Sequence, residues 1–534
     1  MHSHPLHRRR FLEIFAAAGM GARLVPWPLR AAGPPPPRDN PLASLKLAWT
    51  DSPRWEQVVE VTTMPGATPA EQLAAAQTLL VAKGGGVVYF PAGTYRFADS
   101  IRLQNGIVIR GEPPTGTARA HDDGFKLGTR FEFPKYEPSF TGDGTPITTA
   151  FKGIYAQTPA TDSNCGVAHV DLNRGHIHLL DDGTDAHRAG RNRFVFGCIL
   201  RNAAVADPAV PNAKINQQAW QRFTLRHSAA IEVQAEANLL VAGNRLPRSG
   251  DDNFTMNGFA LLDTKKKPFV ADGMVFDYDN RPAIYVNHYG IGGAGGGGPD
   301  GTPETHPHGF RKGIVIRDNF IFNTGRMGIG FCGDGVECRN NVIRFPKDFW
   351  RPTATGQALT AGSSTNDNRA IEMRGWRWIV ADNDYEVHRN WAFDRKYLIN
   401  DGEGLMHEDH VNSTVKDSVL TNNRGNTYLS IYKTAGIDGL LIEGNDIRLG
   451  DGRQTIANGT AIFVDANRNK EKFACRNVRI VGNTTAGGGI LIAGTPAADN
   501  VVKGNRHLGD TPARLINRAA ATVAGNTNYT VESA

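Results

Sequence analysis

Val315-Ile316-Arg317-Asp318-Asn319 is followed, 22 residues on, by Val336-Glu337-Cys338-Arg339-Asn340-Asn341. The same device recurs at Val419-Leu420-Thr421-Asn422-Asn423, Leu441-Ile442-Glu443-Gly444-Asn445, Ile480-Val481-Gly482-Asn483 and Val501-Val502-Lys503-Gly504-Asn505, and at Asn173, Asn202, Asn244 and Asn383. Each is a short apolar-rich strand that ends in Asn. Asn tolerates left-handed backbone at a turn, and stacked Asn side chains can hydrogen-bond from one repeat to the next. The steps 319 to 341, 423 to 445 and 483 to 505 are all 22 residues. A period of this size marks a solenoid in which each repeat touches only its neighbours. The expected fold is therefore all-β, a parallel β-helix with coils of about 22 residues.

Other steps are longer: 75 (244 to 319), 42 (341 to 383), 40 (383 to 423) and 38 (445 to 483) residues. Their extra length falls mostly after the Asn turn, as in 346–368, 390–402 and 450–458, and the first also holds the glycine-rich loop 290–301. Loops inserted at one phase of a solenoid gather on one side of it, and that side is the usual binding face. The strand beside them aligns as Ile231-Glu232-Val233-Gln234, Ile284-Tyr285-Val286-Asn287, Ile329-Gly330-Phe331-Cys332, Ile371-Glu372-Met373-Arg374, Leu405-Met406-His407-Glu408, Leu429-Ser430-Ile431-Tyr432, Ile462-Phe463-Val464-Asp465 and Ile490-Leu491-Ile492-Ala493. First and third positions are apolar and face inward; second and fourth face outward. His407 breaks the pattern. Either it is a buried histidine, or the register slips by one residue there, turning His407 outward and Glu408 inward.

Nearer the start, Thr68-Pro69-Ala70-Glu71 opens a helix with a capping box and a first-turn proline, and Lys83-Gly84-Gly85-Gly86 closes it. Gly86-Val87-Val88-Tyr89-Phe90-Pro91-Ala92-Gly93-Thr94-Tyr95-Arg96-Phe97, Ile101-Arg102-Leu103 and Ile107-Val108-Ile109-Arg110-Gly111 then read as short strands broken by Gly and Pro. This opening resembles the pectate-lyase-like superfamily, which implies a helix plugging the end of a right-handed parallel β-helix and a carbohydrate substrate class. The expected organisation is an export signal over 1–32, a linker and extension over 33–67, and the β-helix with its capping helix over 68–534.

Arg8-Arg9-Arg10-Phe11-Leu12, followed by a weakly apolar run to Ala22, resembles a twin-arginine export signal and implies a periplasmic or extracellular protein. The run is too short to anchor in a bilayer. The formal charge is +6, of which Arg8, Arg9, Arg10, Arg23 and Arg30 against Glu13 supply +4, leaving +2. That balance permits an acidic substrate and gives no support to nucleic-acid binding. The five cysteines show no metal-ligand spacing and read as buried thiols, with a Cys332–Cys338 pair as the alternative. A monomer is expected.

The centre of the aligned face carries Glu372, Arg374, Glu408 and Tyr432, and beside it lies Asn400-Asp401-Gly402-Glu403-Gly404-Leu405-Met406-His407-Glu408-Asp409-His410. Two reactions on a polysaccharide suit these residues. In β-elimination a cation neutralises a uronate carboxylate while a base takes the adjacent proton. Arg374 is the candidate cation, and Tyr432 or Lys433 the candidate base or acid. A Ca²⁺ held by Glu403, Glu408 and Asp409 would serve in place of Arg374. In hydrolysis Glu372 and Glu408 would flank the glycosidic bond as diagonal neighbours. Tyr285, Asn287, His407, His410, Tyr428 and Asp465 are candidate substrate contacts. Of the polygalacturonase-like hydrolase motifs only an Asp-Asp pair has a counterpart, in Ser249-Gly250-Asp251-Asp252, and the calcium-binding aspartates of pectate lyases are not recognisable. The reading is an exported lyase on an acidic glycan; the alternatives are a glycoside hydrolase and a non-catalytic glycan-binding β-helix.

Overall fold

The computed structural model describes residues 35–134, 152–159, 161–179, 190–201, 230–247, 312–322, 327–345, 369–387, 406–407, 414–431, 434, 436–449, 459–467, 471–497 and 499–533, with the strand backbones at 139–140, 146–147, 214–216, 260–262, 268–270 and 284–286. The export signal lies outside them. The chain divides at Pro37, and Arg38–Ala534 forms one compact unit. No helix among the described residues is long and apolar enough to cross a membrane.

The helix forms where its caps predict. Thr68 Oγ1 accepts from the Glu71 N–H, the Glu71 carboxylate accepts from the Thr68 N–H, and the helix spans Pro69–Ala82. Leu73, Ala76 and Leu80 are buried in the core, and Gln77 Nε2 donates to Arg102 O at 3.0 Å. Parallel pairing begins before the helix, because Val58–Glu60 pairs with Val87–Tyr89. Part of the segment expected as a linker thus belongs to the sheet.

Strands then stack coil upon coil in three faces, the expected parallel β-helix. The right-handed sense is the one that strand twist favours. The first face runs through Ile101–Leu103, Gly153–Ala156, His176–Leu179, Ile231–Val233, Ile284–Val286, Met327–Asp334, Arg369–Trp376 and Met406–His407. The second holds the strands that precede the Asn turns, among them Arg191–Phe196, Ala237–Ala242, Lys312–Arg317 and Glu337–Arg339. The third is a separate twelve-stranded sheet that follows the turns. Inward positions such as Ile154, Ile177, Ile231, Ile329 and Ile371 are wholly buried. The second face is buried on its outer side as well. Leu42 and Trp55 pack there against Val87, Val108, Phe194 and Leu240. That is why Gly86–Phe90 and Ile107–Gly111 are buried at every residue, with Val87 and Val108 apolar on the outer side and Arg110 there paired with Asp39.

The turn between second and third faces holds the asparagine ladder. Nδ2 of Asn244 donates to Oδ1 of Asn319, and the chain of bonds continues through Asn341, Asn383, Asn423, Asn445, Asn483, Asn505 and Asn526 at 2.9–3.0 Å per step. Each Oδ1 also accepts the backbone N–H of the preceding ladder residue. The residue before each ladder Asn has positive φ, as at Gly243, Asp318, Asn340, Asp382 and Asn422, which explains the recurrent Gly-Asn, Asp-Asn and Asn-Asn pairs. Asn173 is out of phase. It sits in the strand after the turn, paired with Arg201. In the two coils before Asn244 the ladder position is held by Val170 and Cys198, since Cys198 N–H donates to Asn244 Oδ1 and Ile199 N–H to Val170 O. Asn202 lies outside the described residues. Cys165, Cys198, Cys338 and Cys475 are buried free thiols. Cys338 therefore forms no bridge with Cys332; its sulfur accepts from Asn341 Nδ2 at 3.5 Å.

Candidate functional site

On the first face, one outward register position can be followed through eight coils. Arg102 pairs with Tyr155, Tyr155 with His178, His178 with Glu232, Glu232 with Tyr285, Tyr285 with Gly330, Gly330 with Glu372, and Glu372 with His407. Seven steps of about 4.8 Å make this row about 34 Å long. Each described member alternates with buried aliphatic residues: Ile101 and Leu103, Ile154 and Ala156, Ile177 and Leu179, Ile231 and Val233. The row is thus a product of strand periodicity at the phase where the long loops enter.

The side chains in the first half of the row are in mutual contact. The Arg102 guanidinium lies over the Tyr155 ring, 5.1 Å from its centre. Tyr155 meets the His178 imidazole edge to face at 5.5 Å. His178 Nε2 and His176 Nδ1 are 3.1 Å apart. Gln234 Nε2 donates to Glu232 Oε1 at 2.9 Å. Exposure falls along the row, from exposed Arg102 through half-buried Tyr155 to buried His178 and Glu232. Burial pushes the Tyr155 phenol up to about 12, with the Arg102 charge opposing and Glu232 adding. Tyr155 is therefore protonated at neutral pH.

In the second half of the row, Glu372 and Arg374 sit in Arg369–Trp376, paired with Gly330 and Cys332, and Tyr285 occupies the same row. The slipped register is the one found: Ile371 pairs with Met406 and Glu372 with His407. Glu408, the expected diagonal partner of Glu372, lies outside the described residues. Asn287, Glu403, Glu408, Asp409, His410, Tyr432 and Lys433 lie outside the described residues. Tyr428, expected as a sugar-stacking surface, is 2% exposed and packs in the core; it precedes the strand Leu429–Ile431 and turns inward with it. Asp465 accepts from the Asn467 N–H at 2.8 Å and closes a turn; burial raises its carboxyl. Among the described residues no cluster of His, Cys, Asp and Glu is placed to hold a metal.

Arg102, Tyr155, His176 and His178 were not singled out from sequence. The alternation His176-Ile177-His178-Leu179 carries the signal, but the Asn markers fail in those coils, where Val170 and Cys198 hold the ladder position.

No family model and no curated protein matches the chain. Among solved structures it is similar to the surface protein and adhesin PfbA of Streptococcus pneumoniae, with 12% identity over 89% of this chain and 98% of that one and a TM-score of 0.37. It is also similar to the A-module of the Azotobacter vinelandii mannuronan C-5 epimerase AlgE4, with 12% identity, 90% and 97% coverage and a TM-score of 0.32. A third is a tailspike protein mutant of E. coli bacteriophage HK620 in complex with a pentasaccharide, with 11% identity, 88% and 69% coverage and a TM-score of 0.37. The assignment to a parallel β-helix rests on the strand pairing itself.

Proposed function

We propose that this protein is an exported polysaccharide lyase that cleaves an acidic, uronate-containing glycan along the first face. The observation that carries the reading is the row from Arg102 to His407, which is long enough for a polymer and places a cation, a protonated phenol and paired imidazoles side by side at one end. In this reading Arg102 neutralises the uronate carboxylate and so acidifies C5–H. The imidazole of His178 takes that proton as the C4–O bond breaks. The C5–H electron pair becomes the C4=C5 double bond, and Tyr155 protonates the leaving oxygen. Glu372, Arg374 and His407 bind further sugars along the row.

A hydrolase is the second reading. It needs two carboxyl groups about 5–9.5 Å apart. Glu232 and Glu372 are three steps apart on the row, about 14 Å at about 4.8 Å per step, so elimination is the better fit. A Ca²⁺ held by Glu403, Glu408 and Asp409 would instead neutralise a different uronate of the polymer, toward the His407 end of the row.

The test incubates the exported form with uronate-containing and neutral polysaccharides, with and without EDTA, following ultraviolet absorbance and new reducing ends. Both signals rise together in elimination. New ends without absorbance favour the hydrolase, and binding without turnover on any substrate favours a non-catalytic glycan binder. Loss of activity with EDTA brings in the metal.

A further inference from the structure

A second concavity lies on the corner of the coil between the second and third faces, at the column of left-handed turn residues. It encloses about 420 Å³, the size of a small-molecule site. Its floor exists because two successive coils carry glycine at that turn, Gly197 and Gly243, both with positive φ. One coil earlier the column holds His169, and one coil later Asp318. A Cβ at Gly197 would come within 2.7 Å of the His169 ring. The wall is the 114–125 segment, held in place by Arg245, which donates to Ala120 O at 2.7 Å and to Asp123 at 2.5 Å.

The lining mixes apolar surface from Leu45, Phe125 and Phe196 with polar groups. Two imidazoles line it, and each has one buried ring nitrogen without a hydrogen-bond partner: Nδ1 of His169 and Nε2 of His121. Burial lowers both, His169 to about 4 and His121 against the pull of Asp318, so both are neutral at physiological pH. Two cations line it as well: Arg317, matched by Asp318 at 2.7 Å, and exposed Arg119. A hydrocarbon guest would leave both imidazole nitrogens stranded. An anion drawn in by Arg119 would still meet the Asp318 carboxylate in the same lining. A neutral ring bearing several hydroxyls suits all of it, because each hydroxyl donates and accepts and the ring faces pack on Phe125 and Phe196.

We infer that this corner pocket is a separate binding subsite for a neutral sugar ring, formed by His121, His169 and the Gly197–Gly243 floor. It would hold a neutral unit or branch of a glycan independently of cleavage on the first face. The test uses the full exported chain and binding as its readout, so it stands apart from any assay of turnover. Methyl glycosides of glucose, galactose, mannose and N-acetylglucosamine, and the matching uronates, are titrated by ligand-observed NMR. The variants are His169→Asn, which keeps the left-handed turn, and Ala242→Leu, which fills the floor; circular dichroism and thermal midpoints check their folding. The expected result is saturable binding of at least one neutral glycoside, weakened tenfold or more in either folded variant and unchanged in Glu372→Gln. Binding that persists in both variants, that is lost in Glu372→Gln, or that is confined to the uronates overturns the proposal, as does no binding by any probe.

Discussion

Glu372 stands opposite His407 in the strand pairing, one residue away from the alignment in which Glu372 faces Met406. Because side chains alternate along a strand, this single step decides which residues join the outward row. Cysteines directly opposite on neighbouring strands fall within bridging distance, whereas residues one apart point to opposite sides. Glu372→Cys combined with His407→Cys is therefore expected to form a disulfide on mild oxidation, and Glu372→Cys with Glu408→Cys is not. Peptide mapping by mass spectrometry reads the outcome.

Tyr155→Phe removes only the phenolic oxygen from a ring that Arg102 and His178 contact. If the phenol is the general acid, kcat falls by about 10²–10⁴-fold with KM changed little. Arg102→Ala is expected to raise KM for an acidic glycan as well as lower kcat. Initial rates by ultraviolet absorbance give both values, and a Tyr155→Phe enzyme of full activity would remove the tyrosine from the mechanism.

The ladder predicts a sharp contrast between a buried ladder residue and an exposed turn residue beside the ladder. Asn383 Oδ1 accepts from both the backbone and side-chain nitrogens of Asn341, and its Nδ2 donates to Cys338 O and Asn423 Oδ1. Asn383→Ala leaves several buried polar groups unpaired and is expected to cost about 3 kcal/mol or more. Asn340→Gly, at an exposed left-handed position with φ +51°, is expected to cost under about 0.5 kcal/mol. Urea unfolding midpoints compare the two.

Acid stability depends on His169. Burial, with the Arg110 charge adding, holds its imidazole down at about 4, whereas an unfolded histidine titrates near about 6.5. Between those values the unfolded chain takes up a proton that the folded chain refuses. Stability from this residue is thus fully present above about pH 6.5 and is lost as pH falls toward about 4, by on the order of 2–3 kcal/mol. His169→Asn is expected to shrink the difference between urea midpoints measured near neutrality and at about pH 4.5.

Burial also raises the cysteine thiols, Cys165 to about 11 and Cys198 and Cys475 to about 12. Protonated and shielded, the four described cysteines are expected to resist a thiol reagent in the native protein. They should react together once the chain is unfolded in denaturant. Rapid native labelling of Cys165, Cys198, Cys338 or Cys475 in peptide maps would contradict the buried placement.

The sequence by itself determined the coil. Its period, the Asn at each turn and the capping box at Thr68 are local requirements, met by residues a few positions apart, and each is present in the structure; the left-handed backbone lies one residue before the Asn rather than at it. It also placed Tyr285, Gly330 and Glu372 on one row, because three clean apolar alternations fix that register. Tertiary structure decided what local rules leave open. The slip at His407 depends on which neighbouring strand supplies hydrogen bonds, and Tyr428 turns inward because the core has room for it. Arg102, Tyr155, His178 and Glu232 come from sequence positions up to 130 residues apart, and only coil-on-coil stacking makes them neighbours. The corner pocket likewise needs the wall around His121 to be set against turns 48 and more residues further along the chain, from His169 to Asp318. No spacing in the sequence encodes that contact; Arg245 enforces it in the folded chain through Ala120 O and Asp123.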